Sequence, residues 1–115
     1  MPAMTDDLHP ELTTSLDAQD GRAVLRAAGE IDLYTARDFA AALEAAVDAS
    51  PHVLVDLTEV EFMDSTGLRA LLEARGRATG AGGEVTLKVR PGSPIERLLD
   101  LAGVSDLFGP PENRA

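Results

Sequence analysis

The most unusual stretch of the chain is Asp56-Leu57-Thr58-Glu59-Val60-Glu61-Phe62-Met63-Asp64-Ser65-Thr66-Gly67-Leu68. From Val53 to Leu68 it holds four acids and no base, and it joins a β-branched apolar run to an amphipathic one. Joins of this kind, at the carboxyl ends of parallel strands, are where α/β proteins place their sites. Ser65 is expected at or next to a helix N-cap, its hydroxyl beside backbone N–H groups that lack helical partners. A catalytic serine needs a base beside it, and neither His nor Lys lies within this segment. The same residues also have a purely architectural reading. Asp and Ser are common caps, and Gly67 can serve close packing alone.

Other chemistries find little support. No G-x-S-x-G elbow surrounds Ser65, and the two histidines are His9, near the start, and His52, expected at a surface or strand edge. Gly80-Ala81-Gly82-Gly83 lacks the Lys-Ser/Thr ending of a phosphate loop and reads as a turn. The acids do not show the spacing of an EF-hand. With zero cysteines there is no disulfide framework, thiolate metal site or thiol nucleophile. No cofactor or metal is expected. Asp32, Asp56 and Lys88 loosely imitate a receiver-type phosphoaspartate pocket, but the chain opens with a hairpin and offers too few βα units for that class. Arg69, Arg75 and Arg77 are expected on a solvated helix face, available to a partner.

The elements that must position Asp56–Leu68 follow from hydrophobic period and turn chemistry. Leu12, Thr14 and Leu16 alternate with polar residues, Asp20-Gly21 marks a turn, and Ala23, Leu25 and Ala27 resume the alternation. This predicts a β-hairpin with a loop of several residues, closed by Gly29-Glu30-Ile31-Asp32. Thr35 and Asp38 resemble a capping box for a helix whose stripe is Ala36, Phe39, Ala40, Leu43, Ala46 and Val47, ended by Ser50-Pro51. Val53–Leu57 reads as a buried parallel strand, apolar on both faces. A loop through Phe62 then leads to a second helix marked by Leu68, Leu71 and Leu72 and stopped at Gly80–Gly83. Val85, Leu87 and Val89 give another strand. Ser93-Pro94-Ile95-Glu96 caps a last helix with Ile95, Leu98, Leu99 and Ala102 on its buried face, stopped by Gly103. The order is β-β-α-β-α-β-α, an α/β fold with one mixed β-sheet and helices packed on it.

One hundred and fifteen residues suit one domain. It is expected over residues 12–108, between a flexible tail at 1–11 and a disordered end at 109–115. No apolar run approaches the roughly 20 residues of a membrane helix, and the first residues lack a secretory signal pattern, so a cytoplasmic location is expected. Twenty acids against ten bases leave a net charge of −10. That balance disfavours direct nucleic-acid binding and anionic membrane surfaces, and favours a protein partner with a basic surface.

Val53-Leu54-Val55-Asp56-Leu57 followed by Phe62-Met63-Asp64-Ser65-Thr66-Gly67-Leu68 resembles the signature of anti-sigma factor antagonists, within the sulfate-transporter and anti-sigma-antagonist (STAS) domains. Gly29-Glu30-Ile31-Asp32 matches a second family motif and Gly82-Gly83-Glu84 a third. The last helix, with Leu98-Leu99 and Leu101-Ala102-Gly103, also fits, so the resemblance spans residues 10–108. It implies a single STAS-like domain that is a phospho-switched binding protein and not an enzyme. The serine matching Ser65 is phosphorylated by a partner that is both serine kinase and anti-sigma factor. The unphosphorylated form binds that partner and frees the sigma factor, phosphorylation abolishes binding, and a serine phosphatase restores it. Acids matching Asp32 and Asp56 are implied near the phosphorylation site. With Asp64, Thr66 and Gly67 they are the candidates for supporting it or touching the partner. A different role on the same fold, a ligand-sensing or assembly subunit of a transporter or multiprotein signalling complex, remains open.

Magnitudes indicate where such a switch acts. A phosphate adds about −1.5 to −2 charges. A helix N-terminus favours it by roughly 0.3–1 kcal/mol, and acids at ~6 Å in water oppose it by about 0.7 kcal/mol per unit charge. These nearly cancel within the fold. Burying the unpaired dianion in an interface costs several kcal/mol, and each 1.4 is about tenfold in affinity.

Overall fold

The computed structural model describes residues 12–108. The expected tails at 1–11 and 109–115 lie outside the described residues. Asp20 (φ 54°) and Gly21 (φ 80°) both occupy the left-handed region, the backbone that a two-residue type I′ turn demands. They join β1 (Thr13–Gln19) to β2 (Arg22–Ile31), with Gln19 paired to Arg22. The expected loop of several residues is thus only two long, because the strand runs on through Ala18 and Gln19. β2 pairs in parallel with β3 (His52–Met63), which pairs in parallel with β4 (Glu84–Lys88), and the sheet order is β1-β2-β3-β4. Three helices link the strands or follow them: α1 (Ala36–Ala49), α2 (Ser65–Gly80) and α3 (Pro94–Ala102), with a 3-10 turn at Ser105–Phe108. The order β-β-α-β-α-β-α and the mixed sheet are those expected.

The core lies on one face of the sheet. Ala23, Leu25 and Ala27 from β2, Val53, Val55 and Leu57 from β3, and Val85 and Leu87 from β4 meet Phe39 and Leu43 of α1, Leu71 of α2, and Ile95 and Leu99 of α3 in one cluster. Burying each large side chain contributes about 1.5–3 kcal/mol. The opposite face carries the row Arg26, Asp56 and Lys88, register partners across three strands.

Several local expectations are corrected. The segment after Leu57 is strand and not loop: β3 continues to Met63, burying Val60 and Met63 while Glu59 and Glu61 stay exposed. No alternation marks it, because β3 carries two bulges: three β3 steps from Asp56 to Glu59 face two in β2, and two from Val60 to Phe62 face one, so burial falls at Leu57, Val60 and Met63. The buried face of α2 is Gly67, Ala70, Leu71, Ala74 and Ala78, with Leu68 and Leu72 half-buried at its margin. Thr35 makes no side-chain cap on α1, because its hydroxyl donates to Glu30 O at 2.8 Å. Arg75 and Arg77 are not simply solvated. Arg75 Nε donates to Leu107 O at 2.8 Å, and Arg77 ties α2 to α1 through Glu44 at 2.9 Å and Asp48 at 3.2 Å. Among the described residues Arg69 reaches only Glu73, on its own helix. At the last helix, Ser93 Oγ accepts from Glu96 N at 3.2 Å and Gly103 sits at φ 73°, as its sequence indicates. Glu96 reaches Gly92 N, one residue before the position a capping box uses. His52 is exposed and meets Glu84 across the strand pair at 2.9 Å. Among the described residues no helix is long and apolar enough to cross a membrane.

Candidate functional site

β2 and β3 finish side by side, with Ile31 opposite Met63 and Asp64 N donating to Ile31 O at 3.1 Å. The chain then turns straight into α2. Asp64 is the N-cap: its Oδ1 accepts from Thr66 N at 2.9 Å and also from the Thr66 hydroxyl, while Asp64 O accepts from Gly67 N and Leu68 N. Ser65 is therefore the first helical residue. The backbone donors expected to face its hydroxyl are largely taken by Asp64.

That local geometry separates two adjacent hydroxyls. Ser65 is exposed, and among the described residues its side chain has no hydrogen-bond partner. Thr66 is half-buried with its hydroxyl held by Asp64. Gly67 is buried, and a Cβ there would stand 2.6 Å from both Ile31 Cγ2 and Met63 Cγ. The first turn of α2 thus rests directly on the ends of β2 and β3, which fixes the position of Ser65.

Asp32 follows the end of β2, at the same edge. Its Oδ1 accepts from Tyr34 N at 2.9 Å and Thr35 N at 3.1 Å, and its own N–H donates to Thr35 Oγ1 at 2.9 Å. This clamp holds Leu33 and Tyr34 out into solvent, 72% and 90% exposed. Phe62, 47% exposed, is in register with Glu30 at the same end of the sheet. These three apolar side chains are not among the site residues that the sequence suggests. The available signal was the lone tyrosine and Phe62, both at positions outside the apolar periods.

Asp56 is not brought to this site. It lies half-buried on the sheet face opposite the core cluster, where Oδ1 accepts from Thr58 N at 2.9 Å and Thr58 Oγ1 at 2.6 Å, and Oδ2 stands 3.9 Å from Arg26 Nε. Seven strand positions at about 3.3 Å each put it roughly 20 Å from Met63. Asp32, Asp64, Ser65, Thr66 and Gly67 do converge, and Asp56 belongs to the sheet. Among the described residues no three His, Cys, Asp or Glu side chains form a group that could hold a metal ion.

A family model described as "Mlab, STAS domain" matches residues 14–109. The chain is 36% identical over 98 residues to the anti-sigma-F factor antagonist RsfB of Mycobacterium tuberculosis, covering 84% of this chain and 79% of that protein. The chain belongs to the STAS-domain anti-sigma factor antagonist family. It is also 40% identical over 82 residues to the anti-sigma-B factor antagonist of Listeria monocytogenes, covering 70% of this chain and 71% of that one. The crystal structure of an anti-sigma factor antagonist from Mycobacterium paratuberculosis superposes on this STAS domain with a TM-score of 0.80 at 30% identity, over 90% of this chain and 88% of that one.

Proposed function

We propose that this STAS domain is a phospho-switched anti-sigma factor antagonist. In its unphosphorylated form it binds an anti-sigma factor at the sheet end bearing Ser65 and so frees a sigma factor in the cytoplasm. The anti-sigma factor is itself a serine kinase that phosphorylates Ser65, the complex then dissociates, and a serine phosphatase resets the cycle. The single observation that supports this reading is the exposed Ser65 hydroxyl, uncommitted beside a Thr66 hydroxyl already bound by Asp64. The named relatives lend it the partner class. Leu33 and Tyr34, presented by the Asp32 clamp, act as apolar anchors: their backbone is already ordered, so binding costs little further entropy. Glu30, Asp32, Glu61 and Asp64 around them favour a basic rim on the partner.

The domain performs no turnover of its own in this reading, because among the described residues no side chain hydrogen-bonds the Ser65 hydroxyl to serve as its base. The test is phosphate mapping by mass spectrometry after incubation with ATP, Mg²⁺ and candidate kinase partners. Phosphate on Ser65, and its loss in Ser65→Ala with partner binding retained, is the expected result. Phosphate on Thr66 in the wild-type chain, or none with any partner that binds, overturns the proposal.

A further inference from the structure

The edge of the sheet farthest from β4 has its own chemistry. β1 is exposed at all seven positions, and among the described residues it pairs only with β2. Among the described residues its outer row of N–H and C=O groups is therefore open to another strand. The usual guards of such an edge are missing: β1 has no proline, no lysine and no register break. Its one charge, Asp17, is held by Arg26 at 3.0 Å. On the helix side, α1 lies chiefly over β2. A cleft of about 440 Å³ remains open beneath β1, lined in part by Leu16, Ala18, Ala23 and Ala49.

We propose that β1 is the seam of a homodimer in which two copies of β1 pair antiparallel about Leu16. The strand is complementary to itself in that register. Leu16 meets the partner's Leu16, Thr14 meets the partner's Ala18, Ser15 meets the partner's Asp17, and Thr13 meets the partner's Gln19. On the helix side this gives an apolar row from Leu25 through both Leu16 side chains to the partner's Leu25, which closes the two clefts against each other. On the face away from the helices, Ser15 donates to the carboxylate opposite. Arg26, the register partner of Ser15, is then two strand spacings from the partner's Asp17, about 9–10 Å away. No like charges stand directly opposite, which is what such cross-strand pairs require.

The net charge of −10 per copy opposes the encounter. Salt screens that repulsion beyond about 8 Å at physiological strength, whereas strand pairing and apolar contact persist. Dimerisation therefore strengthens as salt rises. The two-fold axis runs perpendicular to the sheet, so the two copies of β2 point in opposite directions. The two Ser65 ends lie at opposite ends of one eight-stranded sheet, and both remain open. The dimer is bivalent toward whatever binds there.

The absence of cysteine makes the test direct. Single variants Thr14→Cys, Leu16→Cys and Ala18→Cys are oxidised at high protein concentration. Across the two-fold, position 16 has a Cα separation of about 4.5–5.5 Å, inside the roughly 4.4–6.8 Å range of disulfides. Positions 14 and 18 each stand about 14 Å from their own mates, four residues along the strand. The expected result is a covalent dimer from Leu16→Cys in at least tenfold excess over the other two. Sedimentation of the wild-type chain should show a concentration-dependent dimer, tighter at 0.5 M than at 0.05 M salt (~ionic strengths spanning the Debye range). Leu16→Lys sets two ammonium groups face to face and should weaken that dimer at least tenfold while the circular dichroism spectrum is unchanged. A wild-type chain monomeric to about 1 mM, or equal cross-linking at positions 14, 16 and 18, overturns the proposal.

Discussion

Replacing Gly67 with alanine should destabilise the domain, whereas the same replacement nine residues on should stabilise it. A Cβ on Gly67 lands 2.6 Å from Ile31 Cγ2 and 2.6 Å from Met63 Cγ, and 3.0 Å from Met63 Sδ. Met63 can shift its flexible thioether. The Ile31 methyl belongs to a branched side chain with 0% exposure, fixed at the end of β2, so α2 or the strand end must move. Overpacking of this kind costs about 1–3 kcal/mol. Alanine recovers up to about 1 kcal/mol of helix propensity, and less in a first turn, so the net loss is about 1–2 kcal/mol. Gly76 is the internal control: it lies in the same helix with nothing within 4 Å of its would-be Cβ. Gly76→Ala should gain about 0.5–1 kcal/mol. In a domain of this size each kcal/mol moves Tm by about 4–8 °C. Paired thermal melts of the two variants thus diverge by roughly 6 °C or more. A Gly67→Ala protein as stable as wild type would refute the claim that this glycine is required by contact with Ile31 and Met63. Because the same contact seats the first turn of α2, Gly67→Ala should also slow phosphorylation at Ser65 more than its stability loss explains, read from labelling well below Tm.

Three further outcomes follow from the same geometry. Ser65→Asp should weaken binding to the anti-sigma partner by about 1.4 kcal/mol or more, tenfold or worse, and leave Tm within a few degrees; undiminished affinity in calorimetry would remove interface repulsion as the mechanism. Gly83→Ala would set a Cβ 2.1 Å from Pro51 O, a backbone atom that cannot rotate away. Its cost should reach the upper end of the ~1–3 kcal/mol overpacking range or exceed it, measured by urea denaturation. Asp32→Ala removes the acceptor for Tyr34 N and Thr35 N and should cost about 1 kcal/mol, whereas Asp32→Asn keeps an acceptor oxygen and should cost less; equal losses in the same assay would show that the clamp does not depend on those bonds.

Asp56 sits in one of the most family-like stretches of the sequence, yet its carboxylate is spent on Thr58 and Arg26, in mid-sheet. A residue can match a motif because the strand needs it. Ser65 matches because of where the strand ends.

Period and turn chemistry were enough to identify the elements and their order. Each of these rests on interactions between residues near one another in sequence: alternation in β2, the stripe of α1, the caps of α3, the Asp20-Gly21 turn. What sequence could not decide was set by contacts between distant segments. β3 reaches Met63 because β2 runs alongside it to Ile31, and two bulges in β3 erase the alternation that would have marked the strand in the sequence. α2 turns small residues inward because α1 and the strand ends crowd that side, so Leu68 and Leu72 are displaced to the margin. Thr35 surrenders its capping role because Glu30 O lies within reach, and Asp32 assumes the work of ordering the loop. Ser65 and Thr66 are equivalent by residue type, and the proposed preference for Ser65 rests on the helix cap that binds Thr66 and leaves Ser65 exposed.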